Sequence, residues 1–203
     1  MARPRKFDEE AALAAAIGCF WVRGYEATST RDLADAMGIA GKSLYNTFGD
    51  KRGLFRQALE RYMQGFDARI SRCEGRMPPG QAIHAFFDEV VEQTLSDPDC
   101  KGCMLVNSAV EIGPHDPDLR QVVAEGLARV EAFFRRSVAA GQQSGTIPTA
   151  QTADDLARQL LAVLLGLRVL ARSGPDRALL EGLLRPTFSL LGEAAADGDA
   201  STG

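Results

Sequence analysis

The sequence predicts an all-α fold, on three observations. Apolar residues recur at helical spacing along the chain, and no stretch sustains an alternation of period two. The prolines fall at 4, 78, 79, 98, 114, 117, 148, 175 and 186, so none lies between 5 and 77. Proline inside a helix costs about 3 kcal/mol, and these positions are therefore expected breaks.

The stripes define the elements in order. Leu13, Ala16, Ile17, Phe20 and Trp21 form the first, and Phe55, Ala58, Leu59, Tyr62, Phe66 and Ile70 a second. Ile83, Phe86, Phe87, Val90, Val91 and Leu95 form a third. A long fourth runs from Leu119 to Val138. Leu160 to Leu167 is apolar all round except at Gly166, so this helix is expected to be buried on every side, in a core or against a second subunit. Residues 176–192 add a further leucine-rich stretch, which Pro186 is expected to kink or to start late. Ala194–Gly203 is small and polar and is expected to be a frayed tail.

The composition of the 203 residues is ordinary: 45% hydrophobic and 25% charged, which excludes a disordered or fibrous chain. Four cysteines are too few for a disulfide scaffold, no apolar run spans a bilayer, and the basic start leads into Phe7-Asp8-Glu9-Glu10 rather than an apolar signal core. A reduced, cytoplasmic protein is expected. The net charge is −4. Residues 1–55 carry 8 basic and 7 acidic side chains, the remainder 15 and 20. Local field decides phosphate binding, so overall acidity does not exclude nucleic acid.

Residues 28–48 carry the function. Ser29 and Asp32 have the spacing of an N-cap pair, Leu33, Ala34 and Met37 face one way, and Gly38 suits the left-handed residue that ends a helix. A second short helix is expected from Ala40 or Gly41, with Leu44 and Phe48 inward. Two helices joined by so short a turn make a helix-turn-helix. The outward side chains of the second are Lys42, Ser43, Tyr45, Asn46 and Thr47, short hydrogen-bonding groups suited to base edges in a major groove. Tyr45, Lys51 and Thr28 are placed for phosphates, and Arg31 for a guanine edge or a phosphate. Thr30 and Gly41 complete the expected DNA-contact set. Arg3, Arg5 and Lys6 form a basic arm suited to a minor groove.

Residues 24–55, and above all Leu44-Tyr45-x-x-Phe48-Gly49-x-Lys51-x-x-Leu54-Phe55, closely resemble the DNA-binding domain of the TetR family of repressors. The match covers roughly residues 3–60 and departs at Gly41-Lys42, where many members have the lysine one place earlier. The resemblance implies an N-terminal three-helix helix-turn-helix domain over 1–53, a C-terminal helical-bundle ligand-binding and dimerisation domain over 54–195, and a disordered tail over 196–203. It implies a homodimer through the helices near 156–171 and 176–192, binding double-stranded operator DNA in successive major grooves ~34–36 Å apart. It also implies release by an unknown small-molecule inducer, the helix starting at Leu54 carrying the motion.

Gly102-Cys103-Met104-Leu105 resembles a subgroup of that family with a Gly-Cys-hydrophobic helix start, some of whose members sense electrophiles through the cysteine. Cys100 and Cys103 form Cys-x-x-Cys, and a helix N-terminus favours a thiolate, so thiol sensing is the alternative signal. Asn107 and Glu111 share a helix face and are expected to line a cavity with Phe87, Met104 and Phe134. Arg168 is expected at an interface or in an ion pair with a residue such as Glu111. No nucleophile–base set, phosphate-cradling loop or metal motif is present, so no enzyme activity, metal or cofactor is expected. A thiol oxidoreductase built on Cys100 and Cys103 would need a βαβ pattern around them that is missing. A helical scaffold with an idle helix-turn-helix is the third class.

Overall fold

The computed structural model describes residues 7–192, so the arm at Arg3, Arg5 and Lys6 and the tail at 196–203 lie outside the described residues. The helices are α1 (Glu9–Arg23), α2 (Thr30–Met37), α3 (Gly41–Phe48), α4 (Lys51–Arg76), α5 (Pro79–Leu95), α6 (Met104–Glu111), α7 (Pro117–Gln143), α8 (Ala153–Leu170) and α9 (Arg177–Ser189), with a 3-10 turn at Ala171–Ser173. The fold is all-α: no strand occurs among the described residues. Pro79 and Pro117 each stand at the first position of a helix, where the missing amide proton has no intrahelical partner to lose. None of the described helices is long and apolar enough to cross a membrane.

The chain forms two compact units. One takes the residues up to Asp67 together with Lys101–Gly126, and the other takes Ala68–Cys100 and the chain from Leu127 onward. The sequence reading divides the chain near residue 53, whereas compactness divides it fourteen residues later within α4 and returns α6 and the start of α7 to the first unit.

The first unit is built on rings and leucines. Phe20 of α1 meets Phe55 of α4 edge-on at 4.8 Å, Tyr25 meets Phe55 at 4.9 Å, and Trp21 meets Tyr62 at 5.0 Å. Leu33, Leu44, Leu54 and Leu59 are fully buried around them. Each such side chain contributes about 1.5–3 kcal/mol of burial.

The second unit is centred on Phe86, Phe87, Phe133 and Phe134, all fully buried. Phe87 and Phe134 lie parallel at 5.5 Å, while Phe86 meets Phe134 edge-on at 5.4 Å. Two expectations are narrowed here to one of their alternatives. The all-round apolar stretch of α8 is buried on one face only, through Leu160, Leu164 and Leu167, and nearby Val169 is 56% exposed. Within its own unit α8 meets the core along one face, which leaves the other alternative, cover by a second subunit, for its remaining apolar side chains. Pro186 does not delay α9, which starts at Arg177 after the Asp176 cap and continues past the proline. Burial of Leu180, Leu184 and Thr187 holds both sides of the proline on the bundle, and the Thr187 hydroxyl donates to the Leu183 carbonyl at 3.1 Å.

Candidate nucleic-acid interface

Local signals set α2 and α3. The Ser29 hydroxyl oxygen accepts from the Asp32 amide at 3.1 Å, and the Asp32 carboxylate accepts from the Ser29 amide at 2.9 Å, a complete capping box. The Ser29 hydroxyl, donating to the carboxylate at 2.6 Å, and then the Ser29 amide, with the Arg23 guanidinium 3.0 Å away, hold the Asp32 carboxyl below its ordinary value. Gly38 takes φ 65°, the left-handed conformation that closes α2. Ile39 then donates to the Ala34 carbonyl at 3.1 Å, and α3 starts three residues after Gly38. Leu44 and Phe48 turn inward, as their spacing predicts.

The opposite face of α3 is open. Lys42, Tyr45, Asn46 and Thr47 are exposed, Tyr45 by 52%. Among the described residues none of their side chains has a bonding partner. Gly41 is exposed at the start of α3, and Ser43 is half-buried with its amide donating to the Ala40 carbonyl. On α2, Thr30 is half-buried at the first position, and Arg31 is almost fully exposed, its Nε 3.9 Å from Asp35. Lys51 is half-buried: its ammonium lies 4.3 Å from the centre of the Tyr25 ring and donates to the Glu26 carbonyl at 3.5 Å. Thr28 departs from expectation. It is fully buried, and its hydroxyl donates to the Gly24 carbonyl at 2.6 Å, so it locks the turn before α2 rather than presenting an oxygen to phosphate.

Two charged contacts brace this surface. The Glu111 carboxylate, at the end of α6, accepts from the backbone amides of Tyr25 at 3.0 Å and Glu26 at 2.8 Å. Gly24 makes room: a Cβ there would lie 2.8 Å from Oε2 of Glu111, and its φ of 85° excludes most side chains besides. Arg52 donates through Nε and Nη2 to both oxygens of Asp116, at 2.6 and 2.9 Å, and through Nη2 to Asp118 at 2.6 Å. The guanidinium, then the Leu119 amide, hold the Asp116 carboxyl well below the usual carboxylate range. Burial, then the carboxylate of Glu26, push the Tyr25 phenol up. The sequence reading missed Arg52 and Asp116. Asp116-Pro117-Asp118 was a visible helix-start signal, but nothing local says which cation faces it.

Residues 12–58 match the model of bacterial regulatory proteins of the tetR family, and residues 79–185 match the tetracyclin repressor-like C-terminal domain. The chain belongs to the TetR family. This TetR-family chain is 34% identical over 194 residues to an uncharacterized HTH-type transcriptional regulator, YezE, of Bacillus subtilis, covering 94% of this chain and all of that protein. It is 32% identical over 186 residues to the HTH-type transcriptional repressor ComR of Escherichia coli, covering 90% and 87%. Among solved structures it superposes on the TetR family regulator CifR, a cysteine mutant in complex with 26-bp operator DNA, with a TM-score of 0.82 and 32% identity over 92% of this chain and 98% of that one. The family's members are regulators, not enzymes.

The residues expected to line a TetR-type ligand cavity are divided between the compact units. Phe87 and Phe134 belong to the aromatic core of the second. Cys103, Met104, Asn107 and Glu111 belong to the first. Glu111 is committed to the turn after α1, and the Asn107 amide donates to the Lys101 carbonyl at 3.0 Å. Cys103 is buried at the N-cap of α6 and takes a hydrogen bond from the Tyr62 hydroxyl at 3.6 Å. That hydroxyl in turn accepts from the Met104 amide at 3.4 Å. Cys100 is half-buried with φ 46°, a left-handed conformation that is rare outside glycine. Arg168 is buried against Gln93 of α5 rather than paired with Glu111.

Proposed function

We propose that the protein is a homodimeric, ligand-responsive transcriptional repressor acting on operator DNA in the cytoplasm, with residues 1–53 as the DNA-binding domain and 54–195 as the ligand-binding and dimerisation domain. The observation that carries this reading is the open row on α3. Lys42, Tyr45, Asn46 and Thr47 leave donors and acceptors unspent on a helix whose other face is fixed by Leu44 and Phe48. Similarity to a repressor and to a regulator described in complex with operator DNA supports the same reading. Two such helices, one per subunit, would enter successive major grooves. The exposed Val169 near the end of α8 and the exposed Leu179 and Leu183 on α9 are the apolar surface proposed for the dimer.

Release follows if a small molecule binds better to the conformation that does not fit DNA. The Glu111 and Arg52 contacts tie the turn after α1 and the start of α4 to the end of α6 and the start of α7, so displacement of α6 would be felt at the DNA-binding surface.

A mobility-shift titration against the DNA upstream of the gene tests the reading. Tyr45→Ala is expected to weaken the specific shift, and Lys51→Ala is expected in addition to reduce the salt slope by about one unit. Unchanged affinity in both variants would remove α3 from its proposed role. A second reading of the signal rests on Cys103, whose sulfur sits at the start of α6 beside the Tyr62 hydroxyl. Repeating the titration with a thiol electrophile, then with dithiothreitol, separates the two. A shift lost and then restored assigns the signal to a thiol, with Cys103→Ser and Cys100→Ser naming the sulfur.

A further inference from the structure

The second compact unit buries a positive charge that has no counter-ion among the described residues. Arg168 on α8 is only 2% exposed. Its Nη2 donates to the side-chain oxygen of Gln93 at 3.0 Å, while its Nε is buried and bonds to nothing. Among the described residues no carboxylate pairs with it. The same Gln93 oxygen accepts from Nη2 of Arg69 at 3.1 Å. Arg69 faces Glu89 at 3.0 Å, but Glu89 is shared with Arg72 at 3.1 Å. Two guanidiniums thus converge on one neutral amide oxygen, and the Glu89 carboxylate lies against Arg69 and Arg72 rather than Arg168.

Arginine stays protonated at any pH at which a protein folds, so Arg168 cannot escape the cost of burial by losing its proton. A buried charge facing a neutral group is destabilising until an anion meets it. The fork of donors on a guanidinium matches the two oxygens of a carboxylate. The Arg69 guanidinium lies 5.9 Å from the centre of the fully buried Phe86 ring, and Arg168 shares α8 with the buried Leu164 and Leu167. We infer that Arg168, with Gln93 and Arg69 beside it, is the recognition point for an organic carboxylate with an apolar body. As the identity of the effector, this rests on the repressor reading. As a binding site, it does not. Because Arg168 is 2% exposed, entry requires a local opening of the helices around it.

The test uses the full-length protein and straight-chain carboxylates from acetate to octanoate, with phenylacetate, each beside its neutral amide at constant ionic strength. Thermal shift and calorimetry read binding. At least one carboxylate is expected to bind tenfold or more tightly than its amide. Arg168→Met is expected to abolish that preference. Gln93→Glu supplies an internal carboxylate; it is expected to raise the melting temperature of the free protein and also to abolish the preference, which keeps the test decisive if Arg168→Met fails to fold. The inference is overturned if no carboxylate in the series outdoes its amide, or if Gln93→Glu retains the preference. Operator binding by the untreated protein is measured in parallel. Its absence counts against the repressor reading alone, whereas intact operator binding without a carboxylate preference counts against the anion site alone.

Discussion

The carboxylate of Glu111 accepts the backbone amide of Tyr25 at 3.0 Å, across 86 positions of sequence. The last residue of α6 thereby caps the turn between α1 and α2, just ahead of the helix-turn-helix. The turn has no side chain of its own in that place, because Gly24 leaves the space that Glu111 fills.

Gly24→Ala is expected to destabilise the protein by about 2 kcal/mol, since it combines a left-handed backbone with a collision against Glu111. Glu111→Ala is expected to cost a similar amount, about 2 kcal/mol, through two lost charge-assisted hydrogen bonds. Urea unfolding checks both, as a lower midpoint with an unchanged slope. Because the two changes act on one contact, the double variant is expected to fall short of their sum. Full additivity would show that the contact does not form in solution.

The contact between Arg52 and Asp116 predicts a pH dependence. The folded state holds the Asp116 carboxyl well below its ordinary value, so its contribution is whole above the unfolded pKa of about 3.9 and is lost as pH falls further. Asp116→Asn is expected to melt below the wild type at pH 7 and to converge with it as pH drops under about 4. Melting curves between pH 2 and 8 decide this, and a constant gap would rule out the ion pair as its source.

Tyr45 and Lys42 are exposed, so their replacement by alanine is expected to change stability by less than about 0.5 kcal/mol. Operator affinity is expected to fall by about tenfold, equivalent to about 1.4 kcal/mol, for whichever of them meets a base or phosphate. Titrations of each variant against the same DNA, with melting curves as the control for folding, separate lost contact from lost structure.

Leu179 and Leu183 are 46% and 38% exposed on α9. Changing both to Asp is expected to yield a folded monomer, seen by sedimentation, with an unchanged helical spectrum. Operator affinity is expected to drop by about a hundredfold or more, since each half-site would then be bound alone. A dimer that survives the double change would place the interface elsewhere.

Local chemistry in the sequence was enough to specify the helices, the helix-turn-helix and its outward residues. A capping box at Ser29 and Asp32, a left-handed glycine at 38 and inward Leu44 and Phe48 are short-range features, each determined within a few residues. Family membership was legible for the same reason, in the run from Leu44 to Phe55. Partners separated by many residues were not legible. Thr28 looked like a phosphate contact until packing buried it, and Glu111 looked like a cavity lining until the fold set it against Tyr25. Arg168 gave no hint that Gln93, 75 residues away, would face it. A helical period tells which side of a helix is inward, but the choice among inward neighbours depends on how helices pack. That choice decides which charges are paired, which are spent, and which wait for a ligand.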